Sequence, residues 1–106
     1  MKYLDDWSSD GLFLLYHQGT VKYALPLAGG RKPIVLDRSP FANDEAHFSP
    51  DGRWIAFQSN EPGAVECHIA SFPAFEDRRQ ISAHGGSEPR WRSDGKELFT
   101  WRPTGN

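Results

Sequence analysis

The sequence predicts an all-β fold built from a repeated four-stranded antiparallel unit, on three observations. Fourteen aromatic residues, 10 Gly and 8 Pro recur at short intervals along 106 residues, the pattern of a turn-rich β protein. Asp-Gly occurs only at Asp10-Gly11, Asp51-Gly52 and Asp94-Gly95, spaced 41 and 43 residues apart. An aromatic stands three residues before each Asp (Trp7, Phe48, Trp91), and a branched aliphatic stands four residues after it (Leu14, Ile55, Leu98). Coincidence at both flanks of all three dipeptides marks an internal repeat.

Each element follows from the repeat. Asp-Gly between apolar stretches is a strong short hairpin signal: Asp bonds nearby backbone, and Gly takes the positive φ of the turn. Pro50 presets the second of these turns. A short first strand ends near each aromatic, and a second strand follows each turn, over 12–16, 53–58 and 96–101. Third strands are expected at 21–25 and 65–70, and short fourth strands at 33–36 and 79–82. No ten-residue stretch has helical periodicity. A four-stranded unit of this length is a β-propeller blade. The chain therefore divides into a blade over 3–39, a blade over 44–84 and a half-blade over 87–101, an incomplete ring of about two and a half blades.

The run Phe48-Ser49-Pro50-Asp51-Gly52-Arg53-Trp54-Ile55-Ala56-Phe57 resembles the signature of TolB-type, WD-repeat-like propellers. A longer match passes through Trp7-Ser8-Ser9-Asp10-Gly11, Leu25-Pro26-Leu27, Arg31-Lys32-Pro33, Phe72-Pro73 and Gln80-Ile81-Ser82 to Gly85–Phe99. That stretch is similar to the propeller carboxy-terminal to some bacterial serine/threonine protein kinases, notably of soil acidobacteria. The resemblance implies a recognition or scaffold module rather than a particular chemistry. Ser9 and Ser93 stand where the motif has Pro. No Gly-rich loop and no His-Arg-Asp catalytic loop occurs in the sequence, so no kinase activity carries over.

Composition narrows the function classes. Hydrophobic residues make up 38% of the chain, enough for a core. The longest unbroken apolar run, 12–16, has five residues, far short of a membrane-spanning helix. Twelve Lys and Arg against 14 Asp and Glu leave a net charge of −2, which gives no drive toward nucleic acid or acidic lipid. No secretory signal opens the sequence, so the expectation is a cytoplasmic chain as given. Cys67 is the single cysteine, which excludes an internal disulfide and a multi-cysteine zinc site.

Rings of this kind have four to eight blades, and an isolated blade cannot bury both of its faces. Three arrangements satisfy that demand: blades of several copies stack, the chain is part of a longer protein, or it is a compact unclosed remnant. Self-association is the expected one, with another protein as a further partner. Head-to-tail stacking closes into a cyclic oligomer, which the trailing half-blade fits poorly unless it caps or swaps.

Catalytic signatures are missing. Gly-x-Ser-x-Gly, the Walker A loop, Gly-x-Gly-x-x-Gly and His-Glu-x-x-His do not occur, so neither enzyme activity nor a cofactor is expected. His17, His47, His68 and His84 are expected to be satisfied surface or inter-blade side chains, since a zinc site needs three or four convergent ligands. Cys67 and His68 are neighbours on a strand and point to opposite faces, so Cys67 is expected to be a buried structural thiol. Trp7, Phe48, Trp91, Trp54 and Trp101 are expected to pack between blades. Arg90-Trp91-Arg92 and Arg78-Arg79 look basic but are flanked by acids, and a solvated strand face is expected.

The positional set most suited to ligand recognition lies on the first strands. Four residues before each repeat Asp stand Asp6, His47 and Arg90, and six before stand Leu4, Glu45 and Glu88. First strands line the central channel of a propeller, and alternation turns these residues away from the aromatics. Glu45, His47, Glu88 and Arg90 are the candidate channel ligands for a small polar molecule, a peptide or an ion. Inter-blade hydrogen bonds and ion pairs are the competing use of the same residues. The sequence thus predicts a non-catalytic interaction or self-assembly module. The alternative is a hydrolase-type enzyme or small-ligand binder working through the channel residues.

Overall fold

The computed structural model describes residues 2–30, 32–38, 43–60, 63–83 and 85–101. They form ten strands: β1 (Lys2–Trp7), β2 (Phe13–Gln18), β3 (Val21–Pro26), β4 (Ile34–Asp37), β5 (Asn43–Phe48), β6 (Trp54–Ser59), β7 (Glu66–Ser71), β8 (Arg79–Gln80), β9 (Ser87–Trp91) and β10 (Leu98–Trp101). The described residues contain no helix. Two four-stranded sheets run in chain order, β1-β2-β3-β4 and β5-β6-β7-β8, followed by the pair β9–β10. Every pairing is antiparallel. The fold is all-β, with four-stranded blades in sequence.

Each second strand starts one or two residues later than the sequence predicts, for one reason. The carboxylate of the turn Asp accepts the N–H of the residue after Gly, at 2.9 Å for Leu12, 3.0 Å for Arg53 and 3.0 Å for Lys96. That N–H belongs to the turn and is lost to the ladder. The link from β2 to β3 is tighter still. Gln18 pairs with Val21 across Gly19-Thr20, and Gly19 has φ 61°, as a two-residue hairpin loop requires.

β1, β5 and β9 form one edge of their respective sheets and lie side by side, so the blades fan out from a shared line. Each of the three carries a bulge at the same place in the repeat. Pairing slips between Leu4 and Asp6 in β1, between Asp44 and His47 in β5, and between Ser87 and Arg90 in β9. Glu45 and Glu88 absorb the bulge with φ of 50° and 48°, a left-handed conformation that costs a non-glycine residue roughly 1–2 kcal/mol. A repeated bulge of this kind re-aims side chains at a sheet rim.

The core lies between the first two sheets. Leu15, Ala46, Phe48, Ile55, Phe57 and Ala70 form one buried cluster, with Phe13, Leu36, Phe72 and Phe75 packed against it. Leu15, Ile55 and Phe57 are fully buried, each contributing about 1.5–3 kcal/mol. Phe72 sets its ring edge-on to both Phe13 and Phe48, with centroids 4.9 and 5.0 Å apart. Arg78 departs from the solvated position expected of it. Its guanidinium lies over the Phe57 ring, 5.1 Å from the centroid, and 3.7 Å from Asp37 of the first sheet. Its aliphatic stem and planar head thus seal the blade boundary.

Candidate functional site

The three Asp-Gly turns share one geometry. Gly11, Gly52 and Gly95 have φ of 76°, 73° and 75°. Their N–H groups donate to the carbonyls of Ser8, Ser49 and Arg92 at 2.9, 2.9 and 2.8 Å. In the first two copies a serine completes the turn. The Ser8 hydroxyl donates to Asp10 at 2.7 Å and accepts from Phe13 N–H at 3.0 Å. Ser49 does the same with Asp51 at 2.6 Å and Trp54 N–H at 3.0 Å. These hydroxyl donors, with the backbone N–H groups of Leu12 and Arg53, hold the Asp10 and Asp51 carboxyls below the usual range. In the third copy the Arg92 Nε, 3.2 Å from Asp94, replaces the serine. The turns also touch in series: the Ser9 hydroxyl donates to the Pro50 carbonyl at 2.8 Å.

Next to the turns, the first strands bring three of the four candidate ligands together. Arg90 Nη1 donates to His47 Nε2 at 2.8 Å, and Arg90 Nη2 lies 3.3 Å from Glu45 Oε2. An acceptor Nε2 leaves the ring proton on Nδ1, the atom that faces Asp6 Oδ2 at 3.9 Å. Asp6 in turn accepts Phe48 N–H at 2.8 Å, and Trp91 donates its indole N–H to the His47 carbonyl at 3.0 Å. Every one of these contacts joins one sheet to the next. They border an open groove of about 320 Å³, whose walls include Asp6, Trp7, His47, Phe48, Arg90 and Trp91.

Glu88 is not part of that group. Its N–H donates to Gln58 Oε1 at 3.0 Å, and its exposed side chain borders a second groove, of about 540 Å³, with Glu45, Gln58 and Val65. Among the aromatics, Phe48 is buried and Trp91 half-buried, whereas Trp7, in the same register on β1, is 58% exposed. Trp54 is half-buried. His84 and the side chain of Trp101 lie outside the described residues. Cys67 is fully buried, and its desolvation, with the Glu66 carboxylate beside it, pushes the thiol up to about 11.

Two polar clusters had no sequence signal. In the first blade Asp5 Oδ2 meets His17 Nδ1 at 2.9 Å and Lys22 Nζ at 3.3 Å, and the Lys22 side chain is fully buried. In the second, Glu66 accepts the Ser82 hydroxyl at 2.7 Å and Gly85 N–H at 3.0 Å, while Cys67 N–H donates to Ser82 at 2.7 Å. Glu66 thereby ties the connector that leads to β9 onto β7. Both clusters are assembled from residues 12 to 19 positions apart, which no local pattern reveals. The serine two places before each turn Asp was a readable signal at Ser8 and Ser49. Among the described residues no three His, Cys, Asp or Glu side chains converge as a metal site, and no helix is long and apolar enough to cross a membrane.

No family model and no curated protein matches the chain. Among solved structures it is similar to a protein assigned as TolB from Agrobacterium tumefaciens, at 24% identity and a TM-score of 0.80, over 94% of this chain and 38% of that one. It is also similar to TolB from Acinetobacter baumannii, at 22% identity and a TM-score of 0.78, over 95% of this chain and 27% of that one. The chain thus spans well under half the length of either structure. With its blades fanned about β1, β5 and β9, the chain has the TolB-type β-propeller fold over part of a ring.

Proposed function

We propose that the chain is a non-catalytic protein-interaction module, a propeller segment that binds protein through its open blade faces. The observation that carries the reading is the contrast between equivalent aromatics. Phe48 is 6% exposed against the sheet before it, whereas Trp7, at the same place in the repeat, is 58% exposed. Tyr3 and Leu4 on the same strand are 53 and 64% exposed, and exposed apolar surface concentrated on one element supports an interaction surface. A scaffold role agrees with the resemblance to kinase-associated propellers.

Engagement of Arg90, His47, Glu45 and Asp6 across the sheet boundaries favours a structural use of that row over catalysis. The side chains of His47, Glu45 and Arg90 are 22, 39 and 52% exposed, so each ion pair is weak alone and the row acts as a set. Capture from cell extract by the wild-type chain and by Trp7→Asp tests the reading. Proteins retained by the first and lost from the second support it, and identical capture overturns it. An esterase, peptidase and phosphatase screen supplies the opposing arm: turnover lost in Glu45→Ala, His47→Ala or Glu88→Ala overturns the non-catalytic assignment.

A further inference from the structure

We propose that His47 is a proton-operated switch in the row that joins the three sheets. On taking up a proton it lets go of Arg90, and Glu45 becomes the bridge between β5 and β9. The switch rests on the geometry of the row alone and holds whatever partner the chain takes.

Asp6, His47 and Arg90 hold the same place in the repeat and come from β1, β5 and β9. A carboxylate, an imidazole and a guanidinium thus stand in series across two sheet boundaries. Of these three kinds of group, only the imidazole ordinarily changes charge between about pH 5 and 8. The His47 side chain is partly exposed, so it trades protons with water. Three charged groups face its ring among the described residues, one from each strand. Asp6 Oδ2 lies 3.9 Å from Nδ1, Glu45 Oε2 lies 3.7 Å from Nε2, and Arg90 Nη1 lies 2.8 Å from the same Nε2.

A guanidinium has donors only, so the 2.8 Å bond exists only while Nε2 offers a lone pair. Arg90 Nη1 spends its two hydrogens on Nε2 and on the Pro89 carbonyl, the latter at 2.9 Å. A proton on Nε2 sets N–H against N–H and cation against cation, and the guanidinium must turn away. Glu45 is already placed to take over. The Oε2 atom that lies 3.7 Å from His47 Nε2 lies 3.3 Å from Arg90 Nη2, so it accepts from an imidazolium while holding the guanidinium. On the other side of the ring, Asp6 keeps the Phe48 N–H at 2.8 Å and gains a cation to face. Proton uptake thus exchanges a direct bond between β5 and β9 for one routed through Glu45. It also adds one positive charge to the groove that Asp6, His47 and Arg90 line. His17 has no such conflict: its ring meets the Asp5 carboxylate and the Tyr3 ring, and a second proton there breaks neither contact.

The test is nitrogen-15 and proton NMR of the 106-residue chain, taken from about pH 8 down to about pH 5, with His47→Gln to assign the ring signals. At the alkaline end the ring proton is expected on Nδ1, with Nε2 bare. As His47 takes up its second proton, the Arg90 guanidinium signals and the Trp91 indole signal, whose N–H donates to the His47 carbonyl, are expected to shift with the same midpoint. That midpoint is expected to vanish from both in His47→Gln. At about pH 6.5 the protonated fraction of His47 is expected to rise in Arg90→Gln, which removes the opposing cation. It is expected to fall in Glu45→Gln, which removes the receiving carboxylate. A proton on Nε2 at the alkaline end overturns the inference. Arg90 signals indifferent to the titration of His47 overturn it too, as does a protonated fraction that neither variant changes. The first two outcomes are read on the wild-type chain and stand even where a variant fails to fold.

Discussion

The Trp91 indole N–H donates to the His47 carbonyl at 3.0 Å, so one hydrogen bond locks β9 onto β5. The motif aromatic therefore does two things, filling the blade boundary with its ring and satisfying a backbone acceptor with its edge. Trp91→Phe keeps most of the ring and loses the bond. The expected cost is about 1 kcal/mol, read as a lower urea midpoint with an unchanged slope. A midpoint equal to wild type removes the bond from the account of the interface.

Buried Lys22 depends on Asp5. Removing the carboxylate in Asp5→Ala takes an ion-pair partner from a fully buried ammonium, at a cost of about 3–5 kcal/mol. Asp5→Ala combined with Lys22→Met takes out both charges and is expected to recover most of that loss, because the methionine fills the space without a charge to solvate. A double variant no more stable than the single would show that packing, rather than charge, dominates the cluster.

The turn carboxylates make stability acid-sensitive. Asp10 and Asp51 titrate below their ordinary value in the folded chain, so their contribution is present above the unfolded value of about 3.9. It is lost as pH falls through the lower folded value. Unfolding midpoints are expected to decline below about pH 4. Asp51→Asn keeps an oxygen for Arg53 N–H and the Ser49 hydroxyl, so its decline is expected to be shallower. An identical pH profile would place the acid sensitivity elsewhere.

Cys67 is expected to be silent to a thiol reagent at neutral pH. The side chain is fully buried and its thiol is held up at about 11, so almost no thiolate is available to react. Modification is expected to track the unfolded fraction as denaturant is added. Rapid labelling of the folded chain would contradict the burial.

Two glycines separate conformational from spatial need. Gly52→Ala meets open space but must hold φ 73°, with an expected loss of about 1 kcal/mol. Gly86→Ala has ordinary backbone freedom, yet its methyl would sit 2.5 Å from the Ser82 hydroxyl oxygen and 2.7 Å from its Cβ. That crowding is expected to cost about 1–3 kcal/mol, and it loosens the Glu66 connector as well. Thermal unfolding of the two variants is expected to rank them in that order.

Local chemistry made most of the fold legible. Asp10-Gly11, Asp51-Gly52 and Asp94-Gly95 announce their turns because the carboxylate and the positive φ act within four residues. The strands between them follow from alternation. The bulges were not legible: Glu45 and Glu88 carry no glycine to advertise φ of 50° and 48°, and their conformation is imposed by neighbouring strands. Site residues fared similarly. Repeat position alone brings Glu45, His47 and Arg90 together, but it could not show that Arg90 folds back onto the preceding blade. Asp5, His17 and Lys22 meet only once the sheet has formed, so no window of sequence contains the signal.

The bulge shared by β1, β5 and β9 has a consequence for the integrity of the assembly. Three strand margins run next to one another there, each the edge of its own sheet facing the next. A bulge at the same height in all three interrupts the regular peptide spacing of each margin at that point. The sheets stay separate leaves, and the inner opening stays lined by side chains instead of closing into one continuous ladder.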